Sequence, residues 1–480
     1  MPETAKKPTN KYTRLLTNTA VFTVGKLLSK LLTFFMIGLY TSCLTEAEFG
    51  TAELITGIAN LLIPLACVGI SEGIFRSAAA RDGDKEAFFT NGLLVYGVGS
   101  VVFLCLIPLM TLIPRFADSV WLIAAYVVVA NLHTVVSQYL CAIGRTKLFA
   151  GQGILNTALV IGFNILLLPV LDFGVTGYVS AIILADLATT IFLILVTRLW
   201  RAVKPKRISK QTIVTMLRFC LPLVPTTIFW WITGVSDRYM VDMMCSPELN
   251  GLYTAAYKVP NLLIYAISIF DSAWKLSVSA EEDPEACAAF YSKVWRVYTT
   301  LAFMGGGCLI LGSRLFAGIL FAGDFVAAWV YIPTLTFATV FTALCTFLGS
   351  VYFASKRTVG SMLTALAGAL LNVVLNFLLI PTYGAMGASV ATFISYFAVC
   401  ILRLITGRRL IPFKGEWGRL TVNTLLMGAL TAVVTLSEVD AQRLPVMYVA
   451  AVGVLAVMLA VNARAVLGLA KDAKRMLRGR

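Results

Sequence analysis

Long apolar runs, each closed by a short polar or basic stretch, follow one another along almost the whole 480-residue chain. A helix needs about 20 residues to cross the hydrocarbon of a bilayer. By that ruler the pattern predicts an all-α polytopic membrane protein with about fourteen transmembrane helices. The spans fall near 15–40, 50–75, 91–114, 119–142, 149–171, 174–197, 212–236, 251–273, 291–313, 325–352, 359–380, 385–405, 420–437 and 446–464.

The charges between the runs orient them. With the N-terminus in the cytoplasm, the outer loops hold only Arg115, Arg238, Arg314 and Arg443. Lys26, Lys30 and Lys258 lie within spans, and every other Lys and Arg falls on the inner side. That is the positive-inside pattern. An odd number of spans would put the basic tail KDAKRMLRGR outside, so both termini are expected in the cytoplasm. The inner segment RLWRAVKPKRISK, residues 198–210, is the most basic loop. It is expected among anionic headgroups, at about 1 kcal/mol per basic residue, and as a topology determinant joining two halves. All outer loops are short, which argues against membrane enzymes that carry a sizeable external domain.

The sequence repeats. Phe49-Gly50 and Asn60-Leu61-Leu62 return as Asn250-Gly251 and Asn261-Leu262-Leu263, shifted by 201 positions. The pattern N-x-x-x-x-P followed by G-x-x-G occurs at Asn164, Pro169, Gly174 and Gly177, and again at Asn376, Pro381, Gly384 and Gly387. Spans 1–6 therefore match spans 7–12. Six is even, so the two halves keep one orientation and are related by a pseudo-twofold along the membrane normal. In transporters of this kind the site lies between halves and alternating access rocks one against the other. The expected organisation is an N-terminal six-helix half, 1–205, a C-terminal six-helix half, 206–415, and an extra helix pair with a basic tail, 416–480.

Composition agrees with the pattern. Mean hydropathy is +0.85 and 13% of residues are charged, against about 25% in soluble domains. The net charge of +15 sits in loops, so it implies no nucleic-acid partner. The ten cysteines stand singly, without C-x-x-C, and read as small buried hydrophobes. A disulfide between Cys43 and Cys245, near the outer ends of related helices, is conceivable. The first apolar run is too long for a signal peptide and holds two lysines, so it reads as a retained span. Gly25-Lys26 lacks the rest of a P-loop, which leaves no ATPase motif. The RSAAARDGDKEAFFT loop does not match the inter-span turn of major-facilitator sugar transporters. Gly305-Gly306-Gly307, within span 9, reads as close helix packing or a hinge.

A charge at the centre of a span costs roughly 2.5–3.5 kcal/mol, so such residues face protein or water. Lys26 and Lys30 share one helix face and lie roughly 18 and 24 Å into the first span. They read as a cationic wall, or as partners of buried carboxylates. Lys258 lies about 10 Å from the outer surface; its repeat mate is Gly57, so symmetry does not require it, and it reads with Lys26 and Lys30 as a substrate-binding residue of a cationic cavity. Asp186, in span 6, reads as a coupling carboxylate or as the partner of a lysine. Asp237 and Arg238 close span 7 at the outer face and read as gate or coupling candidates or as an interfacial charge pair, and Glu53 is an outer-gate candidate. Glu72 with Arg76 and Asp271 with Lys275 are i,i+4 pairs, read as gates at the inner mouth or as helix-surface ion pairs. His133, the single histidine, lies near Gln138 and reads as an interhelical hydrogen-bond donor. No cluster offers a metal site.

One stretch carries a resemblance. Trp230-Trp231-Ile232 and Ser236-Asp237-Arg238-Tyr239, then G-L-Y-x-x-A-Y-K-x-P from Gly251 to Pro260, then Ala273 to Ser277, resemble the Wzx-like oligosaccharide flippases. Residues 44–76 are similar to that family too. It belongs to the multidrug/oligosaccharidyl-lipid/polysaccharide exporter superfamily, with drug exporters and the lipid II flippase. The resemblance implies a non-enzymatic carrier in the bacterial cytoplasmic membrane. It would move undecaprenyl-diphosphate-linked oligosaccharide repeat units for capsule or exopolysaccharide synthesis. The implied partners are the lipid-linked oligosaccharide, membrane lipids and other polysaccharide-assembly membrane proteins. No cofactor is expected, and coupling to H+ or Na+ is left open. Fourteen spans rather than twelve favour a lipid-linked substrate within the superfamily. The alternatives are a lipid II flippase or a multidrug exporter, and, outside transport, a membrane enzyme acting on lipid-linked sugars. A cation exporter would want carboxylates in its cavity, whereas the deep charges here are mostly lysine.

Overall fold

The computed structural model describes residues 32, 34–79, 84–278, 284–355, 357–436 and 444–477. Among the described residues the elements are helices, α and 3-10 with one π turn, and none is a strand. Eleven helical segments are long and apolar enough to cross a membrane by length and composition. One of them, Val359–Leu410, is 52 residues long, roughly 78 Å if straight and far more than the ~30 Å hydrocarbon requires. It is two spans joined at Gly384 (φ 56°, ψ −140°), a backbone region essentially confined to glycine. Pro247–Val278 adds a helix of 32 residues. The protein is a multi-pass membrane protein of the architecture the apolar pattern predicts; the first span lies largely outside the described residues.

By packing, the chain forms two units: one contains Leu54–Ile228, the other Ile37–Glu53 and Phe229–Arg480. This division follows contacts, whereas 1–205 and 206–415 follow the sequence repeat. The short helix α1 (Ile37–Cys43) and the first turns of α2 (Glu46–Ala66) pack with the second unit.

In the first unit α2 stops earlier than the expected 50–75 span. Val68 (φ 52°) and Gly69 (φ 60°) take left-handed backbone, and a separate helix α3 (Ile70–Ala79) follows. Then come α4 (Lys85–Leu106), α5 (Val120–Ala142), α6 (Thr146–Ile165) and α7 (Gly174–Thr197). Phe89 stacks on Tyr139 at 4.3 Å between ring centroids, inside a core that includes Ile74, Val135 and Met216.

After α8 (Lys210–Cys220), which belongs to the first unit, come α9 (Leu223–Met244), counted in the second unit from Phe229, and α10 (Pro247–Val278). Next are α11 (Pro284–Leu311), α12 (Ser313–Leu320), α13 (Ile332–Ala354), α14 (Thr358–Leu410), α15 (Trp417–Leu436) and α16 (Leu444–Leu477). The core of the second unit holds Trp295, Phe341, Phe347 and Phe413, together with Met427, Leu430 and Met458 from the last two helices. The glycine run within α11 is a packing surface. A Cβ on Gly306 would meet Met427 at 2.5 Å, and one on Gly307 would meet Leu455 at 2.8 Å.

The repeat has a structural meaning. Gly174 (φ 51°) and Gly384 (φ 56°) both take positive φ, so each copy turns at its first glycine. The second glycine lets the two arms of the turn approach. A Cβ on Gly177 would stand 3.1 Å from the Leu167 carbonyl oxygen, and one on Gly387 2.4 Å from that of Leu379.

Candidate functional site

Among the described residues, the sequence-predicted deep charges gather in a cluster in each unit. In the second unit, α2, α9 and α10 bring Glu53, Asp237, Arg238 and Lys258 together. Their helices meet at paired glycines. A Cβ on Gly251 would lie 1.9 Å from the Glu46 carbonyl oxygen, and one on Gly50 2.8 Å from the Pro247 carbonyl oxygen. Glu46 and Pro247 are themselves 201 positions apart, so the contact is reciprocal in the terms of the repeat. Only glycine allows backbones this close.

Next to that contact the Lys258 ammonium donates to Glu53 Oε1 at 2.9 Å. The Arg238 guanidinium lies 3.6 Å from Glu53 Oε2 and 5.0 Å over the Tyr257 ring. Asp237 is fully buried. Its Oδ2 accepts from the Tyr253 hydroxyl at 2.7 Å, the Tyr257 hydroxyl at 3.0 Å and the Thr392 hydroxyl at 3.3 Å. A polar chain continues from it: Asn372 Nδ2 donates to Thr392 Oγ1 at 3.3 Å, and Asn376 Nδ2 to Asn372 Oδ1 at 3.0 Å. Asn376 Oδ1 is buried with no hydrogen-bond partner. Three hydroxyl donors offset the cost of burying the Asp237 carboxylate, and the Arg238 amide donates to its Oδ1 at 2.9 Å.

In the first unit α5, α6 and α7 converge on His133 and Asp186. His133 Nδ1 is 3.3 Å from Asp186 Oδ1, and Nε2 is 2.9 Å from Gln152 Oε1. Asn156 Nδ2 donates to Asp186 Oδ1 at 2.7 Å. Among the described residues Asp186 is thus paired with His133, and the histidine reaches Gln152 rather than Gln138. Gln138 lies five residues along the same helix and does not face His133, whereas Gln152 faces it from α6.

The remaining sequence candidates are placed as follows. Glu72 and Arg76, on α3, are exposed, and no ion pair joins them; Arg76 lies 4.1 Å over the Phe219 ring instead. Lys26 and Lys30 lie outside the described residues, as do the side chains of Asp271 and Lys275. Cys43 and Cys245 are free thiols, which removes the conceivable disulfide. Among the described residues no group of three His, Cys, Asp or Glu is placed to hold a metal.

Sequence reasoning missed Thr392, Asn372 and Asn376. The signal was available: Asn376 is the asparagine of the repeated motif, and Asn372 stands one helical turn before it. It also missed Arg403, 1% exposed, which ties three helical segments together. Its guanidinium donates to Thr364 Oγ1 at 2.9 Å, the Cys345 carbonyl at 2.7 Å and the Ser361 carbonyl at 3.2 Å. Arg403 sits near a span end and counts there as one more inner-side cation.

Known structures share this helical membrane fold. An inward-facing multidrug resistance MATE family transporter of the MOP superfamily superposes with TM-score 0.68 at 17% identity, covering 80% of this chain and 94% of that one. The lipid II flippase MurJ, in an inward closed conformation, gives 0.64 at 13% identity, over 93% and 100%. A MOP superfamily transporter from Pyrococcus furiosus, described as having a binding pocket of reverse polarity, gives 0.63 at 16%, over 85% and 99%. At these identities the likeness is one of fold. The chain itself belongs to the polysaccharide biosynthesis protein family, which it matches over residues 15–274. No curated protein matches the sequence.

Proposed function

We propose that this protein is a flippase for undecaprenyl-diphosphate-linked oligosaccharide repeat units. It would move them across the bacterial cytoplasmic membrane by alternating access, for capsule or exopolysaccharide synthesis, with both termini in the cytoplasm. The observation that carries this reading is membership of the polysaccharide biosynthesis family on a transporter fold, over a region that includes Lys26, Lys30, Glu53 and Lys258. Transport of a diphosphate needs cations that are free to meet it. Lys258 is held by Glu53 at 2.9 Å, and Arg238 and Asp237 complete a balanced set. Lys258 therefore acts as a gate residue in this reading. Lys26 and Lys30 carry the diphosphate in this reading, since an ammonium is a compact point charge suited to phosphate oxygens. Asp237 in one unit and Asp186 with His133 in the other are the coupling positions for H+ or Na+.

The test is mass spectrometry of lipid-linked intermediates after depletion of the protein. Undecaprenyl-diphosphate oligosaccharides other than lipid II accumulate if the reading is right. Accumulation of lipid II with lysis identifies a lipid II flippase instead, and no change with altered drug efflux identifies an exporter. Replacing both Lys26 and Lys30 by Ala abolishes transport while folded protein persists; normal transport would remove the diphosphate assignment.

A further inference from the structure

The basic loop after α7 forms one wall of a groove in the first unit. Leu94, Val98 and Val101 of α4 form one wall, and Val203, Pro205 and Ile208 of the loop form the other, around about 570 Å³. That volume lies within the range of small-molecule sites. Gly97 opens the middle, since a Cβ there would meet nothing within 4 Å. The residues alternate along the loop: Val203, Pro205 and Ile208 face the groove, while Lys204, Lys206 and Arg207 between them are exposed.

The loop is held rigidly. Arg207 Nη1 contacts both oxygens of Asp84 at 2.7 Å. Asn91 Nδ2 donates to the Arg207 carbonyl at 3.0 Å, and Asn91 Oδ1 accepts from the Ser209 amide at 2.8 Å. The Lys204 amide donates to Thr90 Oγ1 at 2.9 Å. Arg207 is thereby neutralised, whereas Lys204, Lys206 and Lys210 are exposed and take part in no ion pair among the described residues.

We propose that this groove binds one anionic phospholipid from the leaflet on the side of the basic loop. From Thr90 to Val102 the groove runs roughly 18 Å along α4, close to the depth of one leaflet in a hydrocarbon core of about 30 Å. It is apolar along that length and cationic at one end. An acyl chain fills the apolar part, making contacts on two sides that a smooth helix surface offers on one. The headgroup phosphate meets the lysines. A whole polyprenyl chain is longer than the groove, and a second helix would leave the lysines without anions. The inference stands apart from the transport reading, because it needs only the membrane and the geometry of this unit.

Native mass spectrometry of the purified protein, equilibrated with phosphatidylglycerol and phosphatidylcholine of the same acyl chains, tests it. Wild type retains phosphatidylglycerol in preference. The variant K204Q/K206Q/K210Q, changed only at exposed positions, loses that preference by roughly fivefold per lysine. Gly97→Phe, which fills the groove, lowers retention of both lipids. Equal retention of the two lipids by wild type would overturn the proposal. So would a preference unchanged by the lysine substitutions, or a dimer that Gly97→Phe converts to monomer.

Discussion

Glu53 answers two cations, which makes its removal costlier than theirs. Breaking a buried ion pair typically costs about 3–5 kcal/mol because a charge is left uncompensated. Glu53→Gln would leave Lys258 and Arg238 facing one another, and is expected to lower thermal stability in detergent by that order. Lys258→Met leaves Arg238 at 3.6 Å from the carboxylate and is expected to cost clearly less. Equal losses would mean that Arg238 does not share Glu53. Asp237 sets a second comparison. Tyr253→Phe or Tyr257→Phe each removes one hydrogen bond to a charged acceptor, worth about 1.5–3 kcal/mol. The double variant is expected to lose more than the sum of the two, because only Thr392 would then remain among the side-chain donors. Denaturation midpoints of the three variants decide it.

At the scale of elements, helix contacts rest on the absence of side chains. Gly251→Ala drives a methyl against the Glu46 carbonyl, and overpacking of this kind costs roughly 1–3 kcal/mol. Gly234→Ala, inside α9 where a Cβ meets nothing within 4 Å, is expected to be neutral or to stabilise by up to about 1 kcal/mol. The two variants differ in sign, and melting curves separate them. Asp84 joins a helix to a loop: its Oδ1 accepts from the Ala87 amide at 3.1 Å as the N-cap of α4. That hydrogen bond, with the Arg207 guanidinium, holds its carboxyl below the ordinary value. The folded pKa is depressed, so the stabilisation is present above the unfolded value of about 3.9 and is lost as pH falls through the lower folded value. Hydrogen exchange of residues 203–209 is expected to quicken on acidification through that window. Asp84→Asn keeps the cap, leaves Arg207 only Glu86 at 3.5 Å, and is expected to weaken the pH dependence.

Across the whole molecule, the last two helices belong to the core of the second unit. Met427, Leu430 and Met458 are buried in it. A polar network fastens the pair: Asn462 Nδ2 donates to Asn423 Oδ1 at 2.7 Å, and Arg419 to Thr299 and Thr300, both at 2.7 Å. Glu416 binds both Arg296 and Arg419. A chain ending before Trp417 is therefore expected to lose folded protein altogether, read as absent monodisperse material on size exclusion in detergent. If the pair were an appendage, the truncated chain would remain folded. The repeat does not announce this, because the pair lies outside it.

Spans, turns and the position of the repeat were legible along the chain because the bilayer imposes a length on every apolar run, and a turn between runs needs glycine locally. The turn at Gly384 and its mate at Gly174 follow from neighbours a few residues away. The same holds for the presence of deep charges, since each is exceptional in its own span. Their partners were not legible. Glu53 meets Lys258 across 205 positions and Asp237 meets Thr392 across 155. Helix rotation and crossing decide such pairs, and periodicity along one helix says nothing of the angle at which another meets it. The break at Val68-Gly69 also escaped, as the apolar pattern continues through it. The apolar sequence by itself determined where the described spans lie, and its repeated glycines where two of them turn. Only the tertiary structure decided which charges neutralise one another.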